Sequence, residues 1–76
     1  MPEQRMKLKG EYITLGQLLK WLGTVTTGGA VRDFLASSTI LVNGEIENRR
    51  GRKLRPGDKI SLPEDTHVLI VSDGDP

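Results

Sequence analysis

The sequence predicts an α+β fold, with two short helices packed on a small, mostly antiparallel sheet, and three observations point to it. Residues 14–35 carry apolar side chains at the three-and-four spacing of helices with one buried face. Residues 39–71 instead alternate short β-branched runs with turn signals. The length of 76 residues, 36% hydrophobic and 4% aromatic, allows one modest core built mainly from Leu, Ile and Val. One domain over residues 1–76 is expected, without repeats or linkers.

Taken in order, residues 5–13 offer an N-terminal strand that Gly10 weakens. Leu15, Leu18, Leu19 and Leu22 then line one side of a first helix, which Thr14 and Gln17 open as a Thr-x-x-Gln capping box and Gly23 stops. "TVTT" reads as a short β-prone connector. Thr27 caps a second helix with Ala30, Val31, Phe34 and Leu35 on its inner side. "TILV" and "EIE" flank Asn43-Gly44, a hairpin turn in which both residues tolerate positive φ. Pro56-Gly57 marks another turn, "DKISL" a strand, Pro63 its end, and "THVLIV" the last strand before an acidic terminus.

Charge is segregated along this chain, although its net value is only +1. Residues 1–48 hold five cations and five acids, whereas residues 49–59 hold six cations against Asp58 alone. Residues 60–76 have four acids and no Lys or Arg. Arg49, Arg50, Arg52, Lys53 and Arg55 fall within seven positions. As a loop they would form a flexible guanidinium cluster whose forked donors suit phosphate oxygens, with Gly51 allowing close backbone approach. The bland alternative is a solvated loop kept for solubility. A run without acids, in a chain whose first 48 residues are neutral, favours a polyanion site, nucleic acid ahead of lipid headgroups.

Gly28 and Gly29, after Thr27, would expose N–H groups at the positive end of the second helix, where anions bind. A connector needing backbone freedom explains the same pair. Arg32, one turn in, extends such an anion site or pairs with a surface acid. His67 lacks a Ser, Cys or carboxylate at a telling spacing and reads as structural or exposed. Trp21 reads as covering the edge of the core, with base stacking the lesser alternative. Glu45 and Glu47 share a strand face, and hairpin solubility accounts for them better than catalysis. No nucleophile and base set, P-loop or dinucleotide fingerprint appears, so no enzyme activity is expected. Without cysteine and with a single histidine, neither a disulfide framework nor a metal centre is expected, and no cofactor. No apolar run matches a signal peptide or a membrane span, and the expected location is the cytoplasm.

The order helix, helix, "ILVNG", basic loop, "PGDKISL" resembles the ribosomal S-four-type RNA-binding domain, or alpha-L RNA-binding motif, over residues 14–62. Thr14-Leu15-Gly16 with Leu18 and Leu19 stands where the family has Arg-Leu-Asp and paired leucines, and residues 27–32 where it has Ser-Arg-x-x-Ala-Arg. Val42-Asn43-Gly44 and Gly57-Asp58 match its Val-Asn-Gly and Gly-Asp. Thr14 and Gly28 replace two arginines that commonly touch RNA in this family, and Arg32 is retained. "TLGQLL", the Gly-Gly helix start and "NRRGRKL" are similar to small stand-alone bacterial members, the YaaA-like and YbcJ-like proteins.

The resemblance implies an RNA-binding module for structured RNA, ribosomal or transfer, acting in ribosome assembly or translation, with ribosomal particles as a further partner. The basic loop would take over phosphate binding from the absent helix arginines, leaving Thr27, Gly28 and Gly29 to offer backbone amides beside Arg32. No membrane and no small-molecule substrate are expected. A ubiquitin-like β-grasp carrier is the rival reading, opposed by the ending Asp73-Gly74-Asp75-Pro76 in place of Gly-Gly and by two helices before the hairpin. A protein-interaction subunit docking its basic loop on an acidic partner is the other.

Overall fold

The computed structural model describes residues 3–72. The acidic terminus, including the Asp73 to Pro76 ending weighed against a carrier, lies outside the described residues. In chain order the elements are β1 (Glu3–Leu8), β2 (Ile13–Thr14), α1 (Leu15–Leu22), α2 (Gly28–Ser37), β3 (Leu41–Val42), β4 (Glu45–Ile46), β5 (Lys53–Leu54), β6 (Lys59–Leu62) and β7 (Thr66–Ser72). The expected N-terminal strand divides in two. It ends at Leu8, bends at Gly10, and resumes as β2 in a different sheet.

Local chemistry sets both helix boundaries as expected. Thr14 Oγ1 accepts from the Gln17 N–H at 3.2 Å and Gln17 Oε1 accepts from the Thr14 N–H at 3.0 Å, closing the capping box. At the far end Gly23 takes φ 80°, and the N–H groups of Gly23 and Thr24 donate back to the carbonyls of Lys20 and Leu19. That left-handed turn satisfies carbonyls the helix leaves open. Thr27 Oγ1 caps α2 by accepting from the Ala30 N–H at 3.1 Å. The "TVTT" connector forms no strand; its Val25 is buried in the core instead.

β1, β7, β6, β3 and β4 lie side by side in that order in one sheet, antiparallel except for the parallel pair β1 and β7. Asn43 and Gly44, with φ 54° and 86°, make the hairpin turn between β3 and β4. Period-two alternation turns Met6, Leu8, Val42, Ile60, Leu62, Val68 and Ile70 into the core. Leu15, Leu18, Leu19, Val31 and Leu35 of the helices join the same cluster, with Ala30 and Phe34 packed at its margin. Each buried Leu, Ile, Val or Met side chain contributes about 1.5–3 kcal/mol by leaving water.

A second, two-stranded sheet was not foreseen. β2 pairs antiparallel with β5, setting Ile13 opposite Leu54 and Thr14 opposite Lys53. Leu54, inside the basic run, is fully buried and so anchors that run to the core.

Candidate nucleic-acid interface

The basic segment is closed at its base by the two turn motifs that flank it. Asn43 Nδ2 donates to Asp58 Oδ1 at 3.0 Å, and Asn43 Oδ1 accepts from the Lys59 N–H at 3.0 Å. Asp58 Oδ2 also accepts from the Arg55 N–H at 2.8 Å, while the Asn43 N–H donates to the Lys59 carbonyl. Val-Asn-Gly and Pro-Gly-Asp are thus one hydrogen-bonded lock, and the cations lie between its halves.

Within the lock the chain is held against α1 rather than forming the flexible loop expected from its charge. The N–H groups of Leu15 and Gly16 donate to the carbonyls of Arg52 and Arg50, both at 2.9 Å. These donors are in the first turn of α1, where a helix has no acceptors of its own. The basic segment therefore caps α1. The approach is close: a Cβ on Gly16 would lie in van der Waals contact with the Arg50 carbonyl at 3.4 Å and Val31 Cγ1 at 3.5 Å.

Glu47 completes the anchorage, and its role differs from the surface solubility expected of it. It is 6% exposed. Its carboxylate accepts from Arg49 Nε at 2.9 Å, Arg49 Nη2 at 3.1 Å, the Arg49 N–H at 3.0 Å and Arg52 Nη1 at 2.8 Å. Four charge-assisted bonds suit a buried carboxylate, which would otherwise lose its hydration without compensation. The Arg49 side chain above all lowers the carboxyl from 4.5 to about 2; burial pushes the other way, and the Arg49 N–H and the Arg52 guanidinium add to the lowering. Glu45, by contrast, is exposed in β4.

The expected cations consequently divide into two groups. Arg50 and Arg32 line a hollow with Asn48 beside α2, and Arg50 also lines the adjoining one with Gly28, Gln17 and Lys20. Arg50 Nη1 would lie 3.9 Å from a Cβ built on Gly28. Arg49, Arg52, Lys53 and Arg55 surround a separate hollow with Gly51. Lys53 Nζ is 5.0 Å and Arg55 Cζ 6.0 Å from the centre of the Tyr12 ring.

Gly28 and Gly29 are exposed and begin α2 in helical conformation, with open space beside Gly29. Unlike the first turn of α1, their N–H groups receive no backbone carbonyl from another segment among the described residues. Thr27 spends its side-chain oxygen on the cap, so its contribution there is structural. Sequence reading passed over Lys20 and Asn48; Lys20 was detectable as the residue one turn after Gly16 on the side facing the loop. His67 Nδ1 lies 3.2 Å from Ser61 Oγ, its cross-strand neighbour. Trp21 is 49% exposed, well short of a residue sealing the core.

The sequence that builds this surface is similar to that of a known protein. The chain is 48% identical over 52 residues to a protein of Bacillus subtilis (strain 168) described as "Probable ribosome maturation protein RlbA", covering 68% of this chain and 73% of that protein. A family model for the S4 domain matches residues 6–71, a span containing both helices, the Asn43 and Asp58 lock and the whole basic segment. The protein belongs to the S4 domain family.

Proposed function

We propose that this protein is a non-catalytic module that binds structured RNA, ribosomal or transfer, and that it acts in the cytoplasm in ribosome maturation. The observation that carries the reading is the hollow that Arg32 and Arg50 line along α2, two guanidiniums without an ion pair among the described residues, with Arg50 also lining the adjoining hollow at Gly28. Phosphates would lie across these side chains and the N–H groups of Gly28 and Gly29, which have no acceptor within the helix. Lys53 and Arg55 would extend the positive track, and the outer faces of Arg49 and Arg52 would border it. Family membership and the printed description of the Bacillus subtilis relative support RNA and ribosome maturation over an acidic protein partner.

The test is binding of purified protein to a structured ribosomal RNA fragment at increasing salt. Neutralising about three to five phosphates gives a log–log slope on the order of −2 to −4. An affinity indifferent to salt would remove the electrostatic basis of the proposal. In cell extract, association with ribosomal particles should disappear after nuclease treatment; persistence would favour the acidic-partner reading.

A further inference from the structure

Phosphate binding leaves one surface of the molecule unexplained. Trp21 and Tyr12 are 49% and 44% exposed, whereas the third ring, Phe34, packs against the core. Indole is highly buried on average, because exposing so large an apolar face to water is unfavourable. Both exposed rings line a shallow groove floored by Leu8 and Ile13 and rimmed by Lys9, Gln17 and Lys20. No lining residue is acidic. Lys53 and Arg55 approach the Tyr12 ring, adding positive charge beside it.

Gln17 and Lys20 also line the hollow that holds Gly28 and Arg50, so the two depressions share a wall. A ligand on the arginine side therefore reaches the rings by passing Lys20. That ligand must offer flat apolar faces at intervals along a negatively charged backbone. An RNA strand with unstacked bases does so, and base stacking on aromatic side chains tolerates any sequence. A base within a continuous duplex cannot, because both its faces are covered by neighbours.

We propose that the Tyr12 and Trp21 groove is a stacking site for an unpaired nucleotide adjoining the paired RNA held at Arg32 and Arg50, an inference that rests on the RNA-binding reading above. Trp21 is the only tryptophan in the chain, so its emission reports on the groove directly. The probes are a short RNA hairpin with one bulged adenosine and the same hairpin fully paired. The bulged hairpin should bind about tenfold more tightly and quench Trp21 emission. Trp21→Ala and Tyr12→Ala should each remove most of that advantage while leaving affinity for the paired hairpin unchanged, and Trp21→Phe should retain it.

Equal, salt-dependent affinity for both hairpins with unchanged emission would overturn the stacking site and leave the RNA-binding reading standing. Binding to neither hairpin at low salt would overturn both. Quenching by poly-glutamate equal to that by the bulged hairpin would make the groove a docking site for acidic chains and overturn the proposal. Emission is read on the unaltered protein, so the outcome is decided even where an alanine variant fails to fold.

Discussion

Arg49 donates from its side chain and its backbone to one buried carboxylate, whereas Arg50, the next residue, has no ion pair among the described residues and lines the hollows beside α2. Arg52 repeats the first situation and Arg32 the second. Glu47 cancels one charge of the Arg49 and Arg52 pair and fixes where both guanidiniums lie. The Arg32 and Arg50 pair keeps its whole charge for a ligand. The number of cations in a sequence run therefore overstates the charge available at the surface, and the difference is set by a single acid two residues before the run.

The largest expected effect separates the two pairs. Replacing Arg49 and Arg52 together by Ala leaves the buried Glu47 carboxylate with the backbone N–H of position 49 but neither guanidinium, which should cost about 3 kcal/mol. In a chain of this size that lowers Tm by roughly 12–24 °C. Replacing Arg32 and Arg50 by Ala removes the same formal charge and should change stability by about 0.5 kcal/mol at most. RNA affinity should fall more in this second variant, at matched temperature below either Tm. Equal melting temperatures for the two double variants, measured by circular dichroism, would erase the distinction.

What could be read from the sequence was decided by neighbours in the chain. Thr14 and Gln17 cap each other three residues apart, Gly23 ends α1 one turn after Leu19, and Asn43-Gly44 folds on itself. The resemblance that named the S4 domain rested on the order of those same signals. The anchorage of the basic segment was not legible in this way. β5 is two residues long, too short to show a period, and its partner β2 lies on the far side of both helices in sequence. Glu47 reads like Glu45, since a polar position beyond a hairpin gives no sign of its burial. The position of Arg50 beside Gly28 follows from how the segment lies on α1 and α2, which is a property of tertiary packing. Sequence reading thus located the cluster of charges and missed how they are sorted.

Acid should expose the sorting at a smaller cost. The Glu47 carboxyl is lowered to about 2 in the folded protein from an ordinary 4.5. A lowered carboxyl stabilises the fold fully above its unfolded value, so this contribution is complete above about pH 4.5 and fades as pH falls through about 2. Glu47→Gln, which keeps the shape but weakens the charge-assisted bonds, should cost about 1–2 kcal/mol at neutral pH. The gap between variant and parent should then narrow across that acid range. A gap that stays constant down to pH 2 would mean that the ion pairs contribute nothing beyond packing.

The smallest effect distinguishes the two helix starts. In α1 the first-turn N–H groups of Leu15 and Gly16 are occupied by carbonyls of the basic segment, so no anion can use them. In α2 the corresponding groups belong to Gly28 and Gly29, which are exposed. Gly29 has helical backbone conformation and a Cβ there would meet no atom within 4 Å. Gly29→Ala should therefore raise stability by roughly 0.5 kcal/mol, chiefly by restricting the unfolded chain. The same methyl stands where a phosphate would approach the amides, so RNA affinity should fall by about twofold to threefold while the protein becomes more stable, a loss of less than one hydrogen bond to a charged group. Opposite signs in the two measurements on one variant cannot come from partial unfolding. Unchanged affinity in the stabilised variant would leave the arginine side chains as the phosphate contacts and make the glycine pair a feature of the connector.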